Sequence, residues 1–199
     1  MNNKVVSIVA QSLAGVVLAG ALVYYNFIDK VPAEEKAKVG TVCVDFTVQR
    51  IVDDGTSFSA SDETYTLSEN QGKVRIINMW ATWCAACVAE LPEFDEFAKD
   101  YPEVDVLALT DASCGSLSGV INWLGNRGWT AYDPTGEWLG RTYKIGFGES
   151  TELLKELGST GTLPVTVIVD QEGTIVYKKK STVTYEDLKA VVEPLLANE

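Results

Sequence analysis

Two cysteines three residues apart, at the seam between an apolar run and an amphipathic one, constrain this chain more than any other feature. Val74-Arg75-Ile76-Ile77-Asn78-Met79-Trp80 reads as a central strand, and Ala85 to Lys99 reads as a helix with a bend at Pro92. Cys84 and Cys87 stand where the second opens. Residues three apart on a helix bring their Cβ atoms to about 5–6 Å. That is near what a disulfide requires, so the pair can close and open with little backbone motion. Cys84 falls at the helix N-terminus, where unpaired N–H groups and the helix dipole favour an anion. The thiolate is the attacking species, so its stabilisation matters. Cys87, one turn in, is expected to be more buried and less acidic. The chemistry that follows is exchange: Cys84 attacks a substrate disulfide, and Cys87 then attacks Cys84 and releases the reduced substrate.

Rival readings of the pair fit the residues less well. Haem attachment needs a histidine directly after the second cysteine, and Val88 stands there. A four-ligand zinc site would have to recruit Cys43 and Cys114, which lack ribbon spacing. The chain has no histidine at all, which removes Ser/His and Cys/His nucleophile pairs and most zinc and copper sites. We therefore expect no metal and no cofactor. An inert pair of buried thiols is the plainer alternative. The formal charge of −12, with no basic block, argues against nucleic acid as a partner. Lys178, Lys179 and Lys180 read as the polar end of a strand.

The rest of the chain divides readily. Residues 1–4 form a short tail. Residues 5–28 carry no charge and are long enough to span about 30 Å of hydrocarbon as a helix, with Tyr24, Tyr25 and Phe27 placed for an interfacial belt. A cleaved signal peptide ending near Ala19-Gly20-Ala21 competes, but the apolar run continues past that site, and an uncleaved anchor with the long domain exported is the expectation. Residues 29–40 read as a charged tether and 41–199 as the folded domain. Within it, strands are expected over 44–52, 64–67, 74–80, 104–109, 165–169 and 174–177. Helices are expected over 85–99, 117–126, 151–157 and from a capping box at Thr184 and Asp187 to about Leu196. That order gives an α/β sandwich with a mixed sheet.

The motifs now carry a resemblance. Asp45-Phe46-Thr47, Gly72-Lys73-Val74, Trp80-Ala81-Thr82-Trp83-Cys84, Cys87, Glu90-Leu91-Pro92 and Leu163-Pro164 together resemble the TlpA/ResA-like thioredoxin family of extracytoplasmic disulfide reductases. The resemblance implies a thioredoxin-like fold: a mixed central sheet flanked by helices, an N-terminal strand extension, and one transmembrane helix ahead of it. It implies a domain tethered to the cell membrane that takes electrons from a membrane thiol-reductant conduit and reduces disulfides in client proteins. Glu90 matches the family's active-site glutamate, which can exchange the proton Cys87 must lose. Pro164 matches its cis-proline, beside the cysteine pair. Trp83, Leu163 and Pro164 are expected to form the client surface, with Trp80 as packing. Three departures stand out. Ala85-Ala86 separates the cysteines where proline is common. Asn78 stands where cytoplasmic thioredoxins have a buried aspartate. The stretch from Gly136 to Gly161 is longer than usual, and residues 147–158 could add a helix.

Cys43 and Cys114 are extra to the motif. A structural disulfide between them ranks first, Cys114 as a third redox thiol second, and two free core thiols third. Two other functions are weighed against the reductase. A thiol peroxidase would need Thr three residues before its cysteine, and Thr82 is two before. A copper-delivery or assembly module is weakened by the missing histidine and by only two methionines.

Overall fold

The computed structural model describes residues 37–54, 56–126, 131–132, 138–139 and 143–197. Seven strands form one mixed sheet: β1 (Thr47–Asp53), β2 (Phe58–Thr66), β3 (Arg75–Met79), β4 (Asp105–Asp111), β7 (Lys144–Gly148), β8 (Val165–Val169) and β9 (Ile175–Lys179). Their order across the sheet is β2-β1-β7-β4-β3-β8-β9. A separate ribbon pairs β5 (Ala131–Tyr132) with β6 (Trp138–Leu139). The helices are α1 (Ala85–Asp100), α2 (Leu117–Asn126), α3 (Leu153–Glu156) and α4 (Tyr185–Leu196).

The sheet explains where the cysteines go. β3 is buried along its whole length, with one apolar cluster on each face. β3 and β4 run parallel in register from Arg75 beside Asp105 to Met79 beside Leu109, which demands a crossover, and α1 supplies it. Leu91, Phe94 and Phe97 bury one face of α1 against that cluster. The helix runs unbroken through Pro92. Its first turn therefore sits at the C-terminal end of the central strands.

The fold departs from the sequence reading at three places. β7 was unforeseen. It lies between β1 and β4, and the two glycines in its sequence Lys-Ile-Gly-Phe-Gly weaken any strand signal. The packing requires those glycines: a Cβ on Gly146 would meet Val48 at 2.8 Å, and one on Gly148 would meet Leu153 at 2.6 Å. β2 begins at Phe58 where a strand only from Thr64 was expected. It is a mostly exposed edge strand, so no alternation of apolar residues announces it. The helix expected over 151–157 shrinks to Leu153–Glu156.

Two features fix the ends of the fold. Gly40 and Cys43 donate their backbone N–H groups to the carbonyls of Ile175 and Gly173, so the chain enters the domain beside the β8–β9 turn. That turn lies at the Arg75 end of β3, opposite the cysteines. At α4, the Thr184 side chain accepts from the Asp187 backbone N–H and Asp187 accepts from that of Thr184, the expected capping box. Thr184→Ala removes one of these bonds and is expected to lower stability by about 1 kcal/mol in urea titration. The segment 5–28 lies outside the described residues, and among the described ones no helix is long and apolar enough to cross a membrane.

Candidate active site

Cys84 is the N-cap of α1, with extended backbone (φ −87°, ψ 96°). Its sulfur is bonded to that of Cys87, with the Cα atoms 5.3 Å apart. The Cys87 backbone N–H donates to the Cys84 sulfur at 3.2 Å, which is how a cap anchors a helix start and how an amide stabilises a thiolate. Cys84 keeps 7% of its surface exposed and Cys87 none. Exposure and the helix terminus thus both favour Cys84 as the sulfur that meets another molecule.

Glu90 lies one turn beyond Cys87 and is only 3% exposed. Asn78 of β3 donates from Nδ2 to its Oε1 at 2.8 Å, and the Val183 backbone N–H donates to its Oε2 at 2.9 Å. The same Asn78 Nδ2 reaches Thr166 Oγ1 of β8 at 3.2 Å. Burial holds the Glu90 carboxyl at about 7, far above the ordinary carboxylate value, against the pull of the Val183 and Asn78 donors and of the Lys179 charge. Such a group can take or give a proton near neutrality. Sequence reasoning missed Thr166 and Val183 as its neighbours. A lone threonine in Val165-Thr166-Val167-Ile168-Val169 was the available signal.

The client-facing candidates fall at this end of the sheet. Trp83 precedes the cap and is 66% exposed, although tryptophan is highly buried on average. The Leu163–Pro164 peptide is cis and leads into β8, whose Val165 pairs with Met79. Leu163 is half-buried and Pro164 buried. Trp80 is packed, 1% exposed, with its ring 5.5 Å from that of Trp123.

Cys43 and Cys114 do not pair, contrary to the first-ranked expectation; both are free thiols. The sheet keeps them apart. Cys43 bonds the β8–β9 turn at one end, whereas Cys114 follows the far end of β4. β4 alone is about 20 Å long at ~3.3 Å per residue, and a disulfide needs Cα atoms within about 7 Å. Burial pushes the Cys43 thiol up to about 12, so it stays protonated. Cys114 is half-buried at the active-site end. Its loop is fastened by Asp111, which accepts from Ser113 N at 2.9 Å and from Leu154 N at 3.0 Å. Among the described residues no group of three metal-ligating side chains is found.

A redox cysteine pair at the N-terminus of the helix that follows the central strand of a mixed sheet, with a cis-proline opening the neighbouring strand, defines a thioredoxin-like thiol–disulfide oxidoreductase. The chain belongs to the AhpC/TSA family, which it matches over residues 39–178. Among its relatives are the thiol-disulfide oxidoreductase ResA of Geobacillus thermodenitrificans, 25% identical over 88% of this chain and 87% of the relative, and the thiol:disulfide interchange protein DsbE of Vibrio cholerae, 26% identical over 98% and 95%. The fold is shared with the exposed lipoprotein thioredoxin of Streptococcus pneumoniae (TM-score 0.59, 22% identity, 76% of this chain and all of that one). StoA from Bacillus subtilis also shares it (TM-score 0.53, 21% identity, 76% and 98%).

Proposed function

We propose that this chain is a membrane-tethered, extracytoplasmic protein-disulfide reductase. Cys84 attacks the client disulfide, Cys87 resolves the adduct, and Glu90 exchanges the proton that Cys87 loses. Trp83, Leu163 and Pro164 form the surface against which a client lies. Residues 5–28 anchor the chain, 29–40 tether it, and a membrane thiol-reductant protein returns the electrons. Cys114, at the same end as the pair, is the accessory thiol; Cys43 lies at the opposite end of the sheet, and its thiol stays protonated. The observation that carries the reading is Cys84 at the helix mouth, receiving the Cys87 N–H and more exposed than its partner.

The test is insulin disulfide reduction with dithiothreitol as electron source, run beside peroxide consumption and copper binding. Turnover above the reagent alone supports the reading. Peroxide turnover that survives Cys87→Ser would favour a peroxidase instead, and copper binding without thiol exchange a delivery module. Sodium carbonate extraction and protease digestion of intact cells test the anchor and its orientation. A chain released by carbonate, or protected from protease outside the cell, would overturn that part.

A further inference from the structure

The Asn78 side chain sits at the centre of the sheet, 1% exposed, and is only half used. Its Nδ2 serves Glu90 and Thr166, as described above. Its Oδ1 is buried and has no hydrogen-bond partner among the described residues. A buried acceptor left empty is rare enough to need a reason.

The reason lies in what faces it. An ionised carboxylate only accepts hydrogen bonds; once protonated it has an O–H to donate. The observed arrangement, with donors on both Glu90 oxygens, suits the ionised form. When Oε1 carries the proton on the side of Asn78, its O–H meets the hydrogens of Nδ2, donor against donor. The backbone N–H of Val183 cannot reverse. Asn78 can, because a half-turn of its amide exchanges Nδ2 for Oδ1 with almost no change of shape. Oδ1 then accepts from Glu90, and from the Thr166 hydroxyl, while Nδ2 takes the position of the empty oxygen.

We propose that Asn78 is a positioning residue that keeps Glu90 hydrogen-bonded in both protonation states by reversing its amide. One proton moves on and off Glu90 and no electrons are involved. The sequence places an asparagine where cytoplasmic thioredoxins carry a carboxylate, and this exchange gives the proton a neutral, reversible partner. The proposal rests on Glu90 as the proton exchanger. The other groups around Glu90 are Lys179 of β9, itself 2.8 Å from Asp187 of α4, and the cysteine pair of its own helix, which is closed. Among the described residues, β3 and β8 supply the neutral Asn78 and Thr166 to this network.

The experiment is an NMR pH titration of the oxidised full-length chain in detergent micelles, following the Glu90 carboxyl carbon and the Asn78 Nδ2 protons. Above the Glu90 midpoint, Nδ2 is expected to show nuclear Overhauser contacts to the Glu90 and Thr166 side chains. Below it those contacts vanish. Asn78→Leu is expected to raise the Glu90 midpoint by up to about one unit, because a bond to a charged carboxylate is about twice as strong as one to a neutral carboxyl. Asn78→Asp is expected to split the titration into two steps, as two adjacent carboxyls share a proton. Contacts that persist on both sides of the midpoint overturn the proposal, and this measurement needs no variant to fold. If the contacts switch but Glu90→Gln leaves disulfide exchange unchanged, the assigned role of Glu90 in exchange fails and the coupling of Asn78 to its charge stands.

Discussion

Cys84→Ser is expected to bring insulin reduction down to the rate of dithiothreitol alone, a loss of at least about 10³-fold in catalysed turnover. A serine hydroxyl at the same helix mouth is not ionised there and cannot form the mixed disulfide. Cys87→Ser is expected to fail differently. Its Cys84 still attacks, but nothing resolves the adduct, so a covalent complex with the substrate accumulates and runs as a larger band on a non-reducing gel. The burial of Cys87, with none of its surface exposed, is why the reverse trap should not form from Cys84→Ser. Equal trapping by both variants would mean that the two sulfurs are interchangeable, and the order of attack derived from the cap would be wrong.

Glu90→Gln is expected to make the oxidised protein more stable than the parent above pH 7, by about 3 kcal/mol. The sign follows from where the proton binds more tightly. The Glu90 carboxyl titrates at about 7 in the fold and near 4.5 in an ordinary setting. Between those values the folded chain holds a proton that the unfolded chain has released. Raising the pH through that window therefore favours unfolding, and the full cost is present once the pH exceeds 7. A glutamine carries no charge at any pH and escapes the cost. Urea denaturation of parent and variant from pH 4 to 9 checks this, and taking their difference cancels every other titrating group. A constant difference across the range would show that Glu90 ionises as freely in the fold as in the open chain. Enhanced stability combined with slowed exchange would also show a destabilising group kept for its chemistry.

How much of this was legible depended on how local the signal was. The redox helix announced itself because strand, cysteine pair and helix are contiguous, and the capping box at Thr184 likewise needs only four residues. The family marks supplied Glu90 and Pro164, which spacing alone would have left as a solvated acid and an ordinary turn residue. β7 was illegible because its glycines are demanded by Val48, Leu107 and Leu153, residues distant in sequence. β2 was illegible because an edge strand bonds through its backbone and leaves its side chains to water. The pairing of Cys43 with Cys114 was chemically open until the sheet put them at opposite ends. Asn78 could be noticed as a polar residue in an apolar strand, but its two neighbours come from β8 and α1, and only the fold brings them together.

The place where the chain enters the domain sets a reach problem. In the anchored arrangement proposed above, the β8–β9 turn is the foot of the domain, and the sulfur pair is carried at its far tip, facing the surrounding compartment. Soluble clients meet that tip directly, whereas a donor embedded in the bilayer can be met only if the domain topples on its leash. Ala37 and Gly40 are already held by the domain, so the leash is residues 29–36, which span at most about 28 Å when fully extended. The leash, rather than the chemistry of the sulfurs, would then decide how often the domain is recharged, and trimming it would starve the reductase of electrons while leaving its grip on clients intact.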